Sequence, residues 1–238
     1  QMRSALNGAA DTPATRQLMA ALEMATRAKL THVSQPFGIK SVQVENREAL
    51  VVEETALDLP FGRLLHFRKD IDSPQPRVLL VAPLSGHFAT LLRDTVKTLL
   101  QDHDVYITDW RNAREVPLVQ GRFGFEEYVD YLIKFLEHMG PGAHVVAVCQ
   151  PCVQSMVATA VMSEAKNPAT PRSLTLMAGP IDCRINPTSV NKLATDHPIE
   201  WFQSNLISTV PFPLPGWGRR VYPGFMQLAA FVSMNPER

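Results

Sequence analysis

The residues best placed to do chemistry are two cysteines in the run His144-Val-Val-Ala-Val-Cys149-Gln-Pro-Cys152, which continues to Val161. A cysteine thiolate serves either as a nucleophile or as a redox centre, and each use needs its own setting. Val145 to Val148 is a short apolar run rich in β-branched residues and reads as a buried strand. Beyond it, Val153, Met156, Val157, Ala160 and Val161 recur with a helical period and predict one buried helix face. Cys149 falls where strand gives way to helix. A tight turn there lifts a side chain clear of the sheet and aims the following backbone N–H groups at whatever it attacks. The small-x-nucleophile-x-small spacing of such an elbow survives as Ala147-Val-Cys149-Gln-Pro151. Proline suits a first helical turn, where its missing N–H has no partner anyway. A helix N-terminus also favours the thiolate form of a cysteine placed ahead of it. Taken alone, the stretch fits a buried cysteine at a strand end, a C-x-P-C dithiol, or an acyl-transferring nucleophile with an oxyanion hole.

The elements around it narrow the choice. Arg77 to Pro83 is apolar almost throughout, as strands buried on both faces are. It enters the turn Leu84-Ser-Gly-His87, and a helix follows with Phe88, Leu91, Leu92, Val96, Leu99 and Leu100 on one face. Val105 to Trp110 is a further strand. Phe125, Tyr128, Val129, Leu132, Phe135, Leu136 and Met139 mark an amphipathic helix stopped by Gly140-Pro-Gly142. Leu174 to Ala178 is one more strand, ending in Gly179-Pro-Ile-Asp182. This alternation predicts an α/β fold, a mostly parallel sheet with helices on both faces. Chemistry in such sheets collects at the carboxyl ends of strands, where Cys149, Leu84 to His87, Asp109 and Asp182 all fall.

Upstream, Leu18, Ala21, Leu22, Ala25 and Ala28 form a helical face, and Ala49 to Leu59 with Arg63 to Phe67 predict a hairpin through Pro60-Phe-Gly62. After Asp182 the alternation breaks into a Pro- and aromatic-rich segment with short helical pieces such as Ile199 to Leu206. The expected organisation is an N-terminal helical segment (1–48), an α/β core (49–182) and a cap (183–238). Lys+Arg and Asp+Glu are 23 each, so no basic footprint points to nucleic acid. The longest apolar run is far short of the roughly 20 residues of a membrane span. Three cysteines, two of them in one C-x-x-C, make no disulfide framework, which reads as a cytoplasmic protein. No His/Cys/Asp spacing makes a zinc site, and no cofactor is called for. The sequence leaves a homo-oligomer open.

Five blocks resemble one family: Val148-Cys149-Gln-Pro151, Pro171-Arg-Ser-Leu-Thr-Leu-Met177, Gly179-Pro-Ile-Asp182, Arg184-Ile-Asn-Pro187 and Gly218-Arg-Arg-Val-Tyr-Pro-Gly224. They are similar to the intracellular polyhydroxyalkanoate depolymerases. The resemblance implies an α/β-hydrolase fold and hydrolysis of poly(3-hydroxybutyrate) esters at storage granules. It also implies a Cys-Asp-His triad with Cys149 as nucleophile. It sets the triad Asp and His on loops after later strands, so those strands and both residues are expected beyond Arg238.

On this reading the backbone N–H of Gln150 is one oxyanion donor. The second comes from the loop after the Arg77 to Pro83 strand: Leu84 first, since Pro83 has no N–H, then Ser85. His87, Asp109 and Asp182 are pocket candidates. The local use for His87 is a backbone hydrogen bond, and for Asp182 a turn cap. Cys152 is expected to be a packing residue rather than a resolving thiol. Asp196 and His197 are adjacent and rarely face each other on a helix, so they make a poor triad surrogate. Trp201, Phe202, Phe212, Trp217, Tyr222 and Phe225 either pack the cap or offer an apolar surface to a polymer. Three rivals stand beside this reading. A polyester synthase-like acyltransferase is expected to carry glycine where Pro151 stands. The others are a C-x-P-C redox protein and a non-catalytic granule-associated protein.

Overall fold

The structure, a computed structural model, describes residues 34–84 and 88–227. Its frame is one seven-stranded sheet in the order β1-β2-β3-β5-β4-β6-β7. The strands are β1 (Ser41–Val44), β2 (Arg47–Leu59), β3 (Gly62–Lys69), β4 (Arg77–Val81), β5 (Asp104–Trp110), β6 (His144–Val148) and β7 (Ser173–Met177). The pairings β4–β5, β4–β6 and β6–β7 are parallel. β1, β2 and β3 add an antiparallel wing that joins through β5. The predicted hairpin is β2–β3, with Leu59 opposite Gly62. β4 lies inside the sheet, between β5 and β6, and its Val78 to Val81 are buried, which explains the unbroken apolar run.

Helices cover both faces. On one lie α2 (Phe125–Met139) and α3 (Cys152–Glu164), over a core of Leu64, Leu79, Val81, Tyr128, Phe135 and Val145. α2 starts where Glu127 turns back to accept the Gly124 N–H at 2.8 Å. It stops at Gly140, whose φ of +78° suits glycine. On the other face lies α1 (Arg93–Leu99), entered through a 3₁₀ turn at Ala89–Leu92. It packs with Leu65, Phe67, Leu80 and Ile107.

Three expectations change. Residues 34–48 are not part of a helical segment: β1 pairs with β2, and Phe37, Ile39, Val42 and Val44 are buried in the sheet's core. The predicted helical face at Leu18 to Ala28 lies outside the described residues. In the helix after β4, Leu91 is 59% exposed while Ala89 and Val96 are buried, because the 3₁₀ start rotates the face. The third change is the buried face of α3, which is Cys152, Ser155, Ala158 and Met162 rather than Val153, Met156, Val157, Ala160 and Val161. This helix is apolar nearly all round, so periodicity is ambiguous. Small side chains win the inward face because they let the helix approach the sheet closely.

The segment after β7 contains α4 (Ser189–Asp196), α5 (Ile199–Asn205) and the two-residue strands β8 (Ser208–Thr209) and β9 (Arg220–Val221), which pair antiparallel. Among the described residues no helix is long and apolar enough to cross a membrane.

Candidate active site

Cys149 directly follows β6 and has φ +67°, a left-handed conformation that non-glycine residues rarely hold. Surrounding bonds enforce it. The Cys149 N–H donates to Met177 O at the end of β7 (2.8 Å), and Cys149 O accepts from Cys152 N (3.2 Å). Pro151 then sets the entry to α3, and its carbonyl accepts from Ser155 N at 2.9 Å. Strand, strained turn and helix therefore leave the Cys149 side chain half-exposed at the carboxyl edge of the sheet.

Cys152 faces the other way. It is fully buried, and its Sγ donates to Ala147 O (3.3 Å) and reaches Met177 O (3.6 Å). Burial pushes its thiol pKa up, against a smaller lowering from the Met177 carbonyl. Both thiols are free, and Cys152 fills space between α3, β6 and β7 rather than awaiting a disulfide partner. Gly179 makes this possible: a Cβ there would overlap the Cβ and Sγ of Cys152.

The second loop of the site follows β4. Val81 pairs with Ala147, so Leu84 and Cys149 leave neighbouring strands at nearly the same level, with the strands about 4.8 Å apart. Leu84 is half-buried against the core. Ser85 and His87 lie outside the described residues. Asp109, near the end of β5, is buried and held by Arg63, whose Nε and Nη2 each lie 2.8 Å from Oδ2. That carboxylate is engaged on the α1 side of the sheet. Asp182 is on an exposed turn, where it accepts from the Arg184 backbone N–H at 3.1 Å and from its guanidinium at 2.8 Å. The Arg184 contact holds the Asp182 carboxyl below its usual range. His197 stacks on Trp201, centroids 4.2 Å apart. His66 sits between Glu54 and Asp104, and His144 bonds Ser173; both are near the sheet's opposite edge.

Two features escaped sequence reasoning. Arg219 is buried, and among the described residues it has no carboxylate partner: its Nη1 donates to Gly121 O (2.5 Å) and its Nη2 to Val116 O (3.1 Å) and Pro117 O (2.8 Å). Its guanidinium also lies over the Phe61 ring, 4.8 Å from the centroid. The segment after β7 is thereby fastened to the loop after β5, helped by Gly216, whose N–H donates to Arg114 O at 2.8 Å. The only sequence signal was the Gly218-Arg-Arg block itself. The second feature is the set of side chains around Ala82, taken up below.

The strand order, the parallel block and the cysteine elbow at its carboxyl edge define an α/β-hydrolase-like fold. Within that class, residues 178–238 match the family model described as PHB de-polymerase C-terminus. The comparison with curated proteins returns no match. Among solved structures, the chain is similar to a Pyrobaculum calidifontis esterase at 13% identity and TM-score 0.45, over 77% of this chain and 62% of that one. It is similar to the naproxen esterase (carboxylesterase NP) of Bacillus subtilis at 13% identity and TM-score 0.43, over 75% and 62%. A membrane phospholipase A, a bacterial virulence factor, shows 15% identity and TM-score 0.44, over 93% and 66%. The chain thus spans under two thirds of the length of each of these proteins.

Proposed function

We propose that this chain is a cysteine ester hydrolase of the polyhydroxyalkanoate depolymerase type, acting on poly(3-hydroxybutyrate) or its oligomers. The observation that carries the proposal is Cys149 at φ +67° between β6 and α3. The match of residues 178–238 to the depolymerase family model supports the substrate class. The Cys149 thiolate attacks the ester carbonyl carbon, forming an S–C bond and placing the electron pair on the carbonyl oxygen. Backbone N–H groups of Gln150 and of the Leu84 loop hold that oxyanion. Collapse breaks the ester C–O bond, and the departing alkoxide takes up a proton. Water then cleaves the thioester in a slower step, releasing the 3-hydroxybutyrate acid and restoring the thiol. Exposed Phe212 (78%) and Trp217 (61%), in edge-to-face contact at 6.1 Å, offer an apolar surface for the polymer, at storage granules inside the cell.

The test is incubation with p-nitrophenyl butyrate followed by intact-mass and peptide analysis. One acyl group on Cys149, absent in Cys149→Ala, is the expected result. Acylation elsewhere, or ester cleavage untouched by Cys149→Ala, sinks the proposal.

A further inference from the structure

The backbone of one residue, Ala82, is held from three directions by side chains, two of them buried and the third, Trp110, half-buried. Its N–H donates to Thr108 Oγ1 at 3.0 Å. Its carbonyl accepts from Trp110 Nε1 at 2.9 Å and from the Tyr128 hydroxyl at 3.2 Å. Ala82 and Thr108 are fully buried and Tyr128 nearly so. These bonds are not part of a strand ladder. β4 ends at Val81, so Ala82 has left the sheet and begins the loop through Pro83 to Leu84. A peptide unit that leaves a sheet into a dry interior is usually satisfied by water or by a turn. Here three side chains from two elements, β5 and α2, do it instead.

The clamp is itself braced. Trp110 lies across Gly62, where a Cβ would come within 2.7 Å of its ring. Phe123, Tyr128, Tyr131 and Phe135 surround the indole at centroid distances of 4.3 to 6.3 Å. Burial also pushes the Tyr128 hydroxyl pKa well above its ordinary value, so it remains a donor throughout the working pH range.

We propose that Thr108, Trp110 and Tyr128 are positioning residues for the oxyanion hole: by fixing both polar groups of Ala82 they set where the Leu84 N–H points. This rests on the reading of Cys149 as an acylating nucleophile. Oxyanion donors act only when aimed at the place where charge develops, and a displacement of about 1 Å can cost 100-fold in rate.

The experiment compares two reactions of the same thiol in the full chain. Acylation by p-nitrophenyl butyrate passes through an oxyanion; alkylation by iodoacetamide does not. Tyr128→Phe and Thr108→Val are expected to slow acylation about ten-fold while alkylation of Cys149 changes less than about two-fold. Thr108→Ser, which keeps the acceptor oxygen, is expected to restore most of the acylation rate. Acylation unchanged in both variants overturns the proposal. So does a parallel fall of both reactions, since that reports general loosening. If Tyr128→Phe does not fold, the Thr108 pair gives the same comparison. If the unaltered chain shows no Cys149-dependent acylation, the hydrolase reading itself fails and the clamp has no oxyanion to serve.

Discussion

Gly179 has no room for a side chain. An added Cβ would meet the Cβ and Sγ of Cys152 and come within 3.0 Å of the Cys149 carbonyl oxygen. All three atoms belong to the elbow turn or the first turn of α3, so none can yield without moving Cys149. Gly179→Ala is therefore expected to cost about 2–3 kcal/mol of stability and to slow modification of Cys149 as well. Urea unfolding and a timed alkylation measure the two effects, and a loss of stability with Cys149 reactivity intact would separate packing from positioning. The three cysteines differ in the same way. Cys149 is half-exposed, Cys183 exposed and Cys152 buried with a raised pKa. Limited iodoacetamide should label Cys149 first, Cys183 next and Cys152 only on unfolding; early labelling of Cys152 would revive the dithiol reading.

Elements are tied together by charged side chains placed where strands and loops meet. His66 on β3 bridges Glu54 on β2 (3.0 Å) and Asp104 on β5 (2.7 Å), stacked on Tyr106. Burial lowers its pKa, but the bonds and charges of Asp104 and Glu54 outweigh burial and raise it overall. A raised folded-state pKa stabilises while the imidazole is protonated. That contribution is complete below about pH 6.5, the unfolded value, and is lost as pH rises through the raised one. The melting temperatures of the unaltered chain and His66→Gln should thus differ most below about pH 6.5 and draw together as pH rises through the raised value. A constant gap would show that protonation plays no part. Both carboxylates are partly exposed, which limits the effect to about 1 kcal/mol. Arg219 is the corresponding tie between the segment after β7 and the loop after β5, where a planar fork reaches three carbonyls at once. Lysine supplies a single point charge and cannot replace it. Arg219→Lys should speed proteolysis within the cap while leaving the sheet's urea midpoint nearly unchanged; equal loss in both would mean the cap and core unfold together.

For the molecule as a whole, charge is balanced at 23 against 23 while the cap exposes large apolar side chains. Association with a polyester surface should then be driven by apolar burial and be indifferent to salt. Cosedimentation with amorphous poly(3-hydroxybutyrate) particles is expected to be the same at about 0.05 and about 0.5 M salt. Trp217→Ser should weaken it about ten-fold. Strong salt dependence would point to charge instead. Much of this architecture was legible in the sequence because strands such as Arg77–Val81 are apolar on both faces and α2 is cleanly amphipathic. The elbow could be placed because β6 and α3 abut with only Cys149, Gln150 and Pro151 between them. What stayed hidden depends on partners distant in sequence. Ala82 is held from 26 and 46 residues away, Arg219 bonds loops about 100 residues earlier, and Gly179 is required because Cys152 and the Cys149 carbonyl crowd its space. The face of α3 was misread for a related reason: in a helix apolar all round, neighbours rather than period decide which side is buried.

The hydrogen bond from the Cys149 N–H to Met177 O links the elbow to the last residue of β7, which is the terminal strand of the sheet among the described residues. One flank of β7 pairs with β6, and along the strand exposed residues alternate with half-buried ones. Deuterium should accordingly enter the Cys149 amide whenever β7 peels from β6, a local event far less costly than global unfolding. The same amide would exchange more slowly if any polypeptide lay along the outer flank of β7. One exchange rate would then report, in the untreated protein, how firmly the sheet's margin holds Cys149 in the left-handed turn.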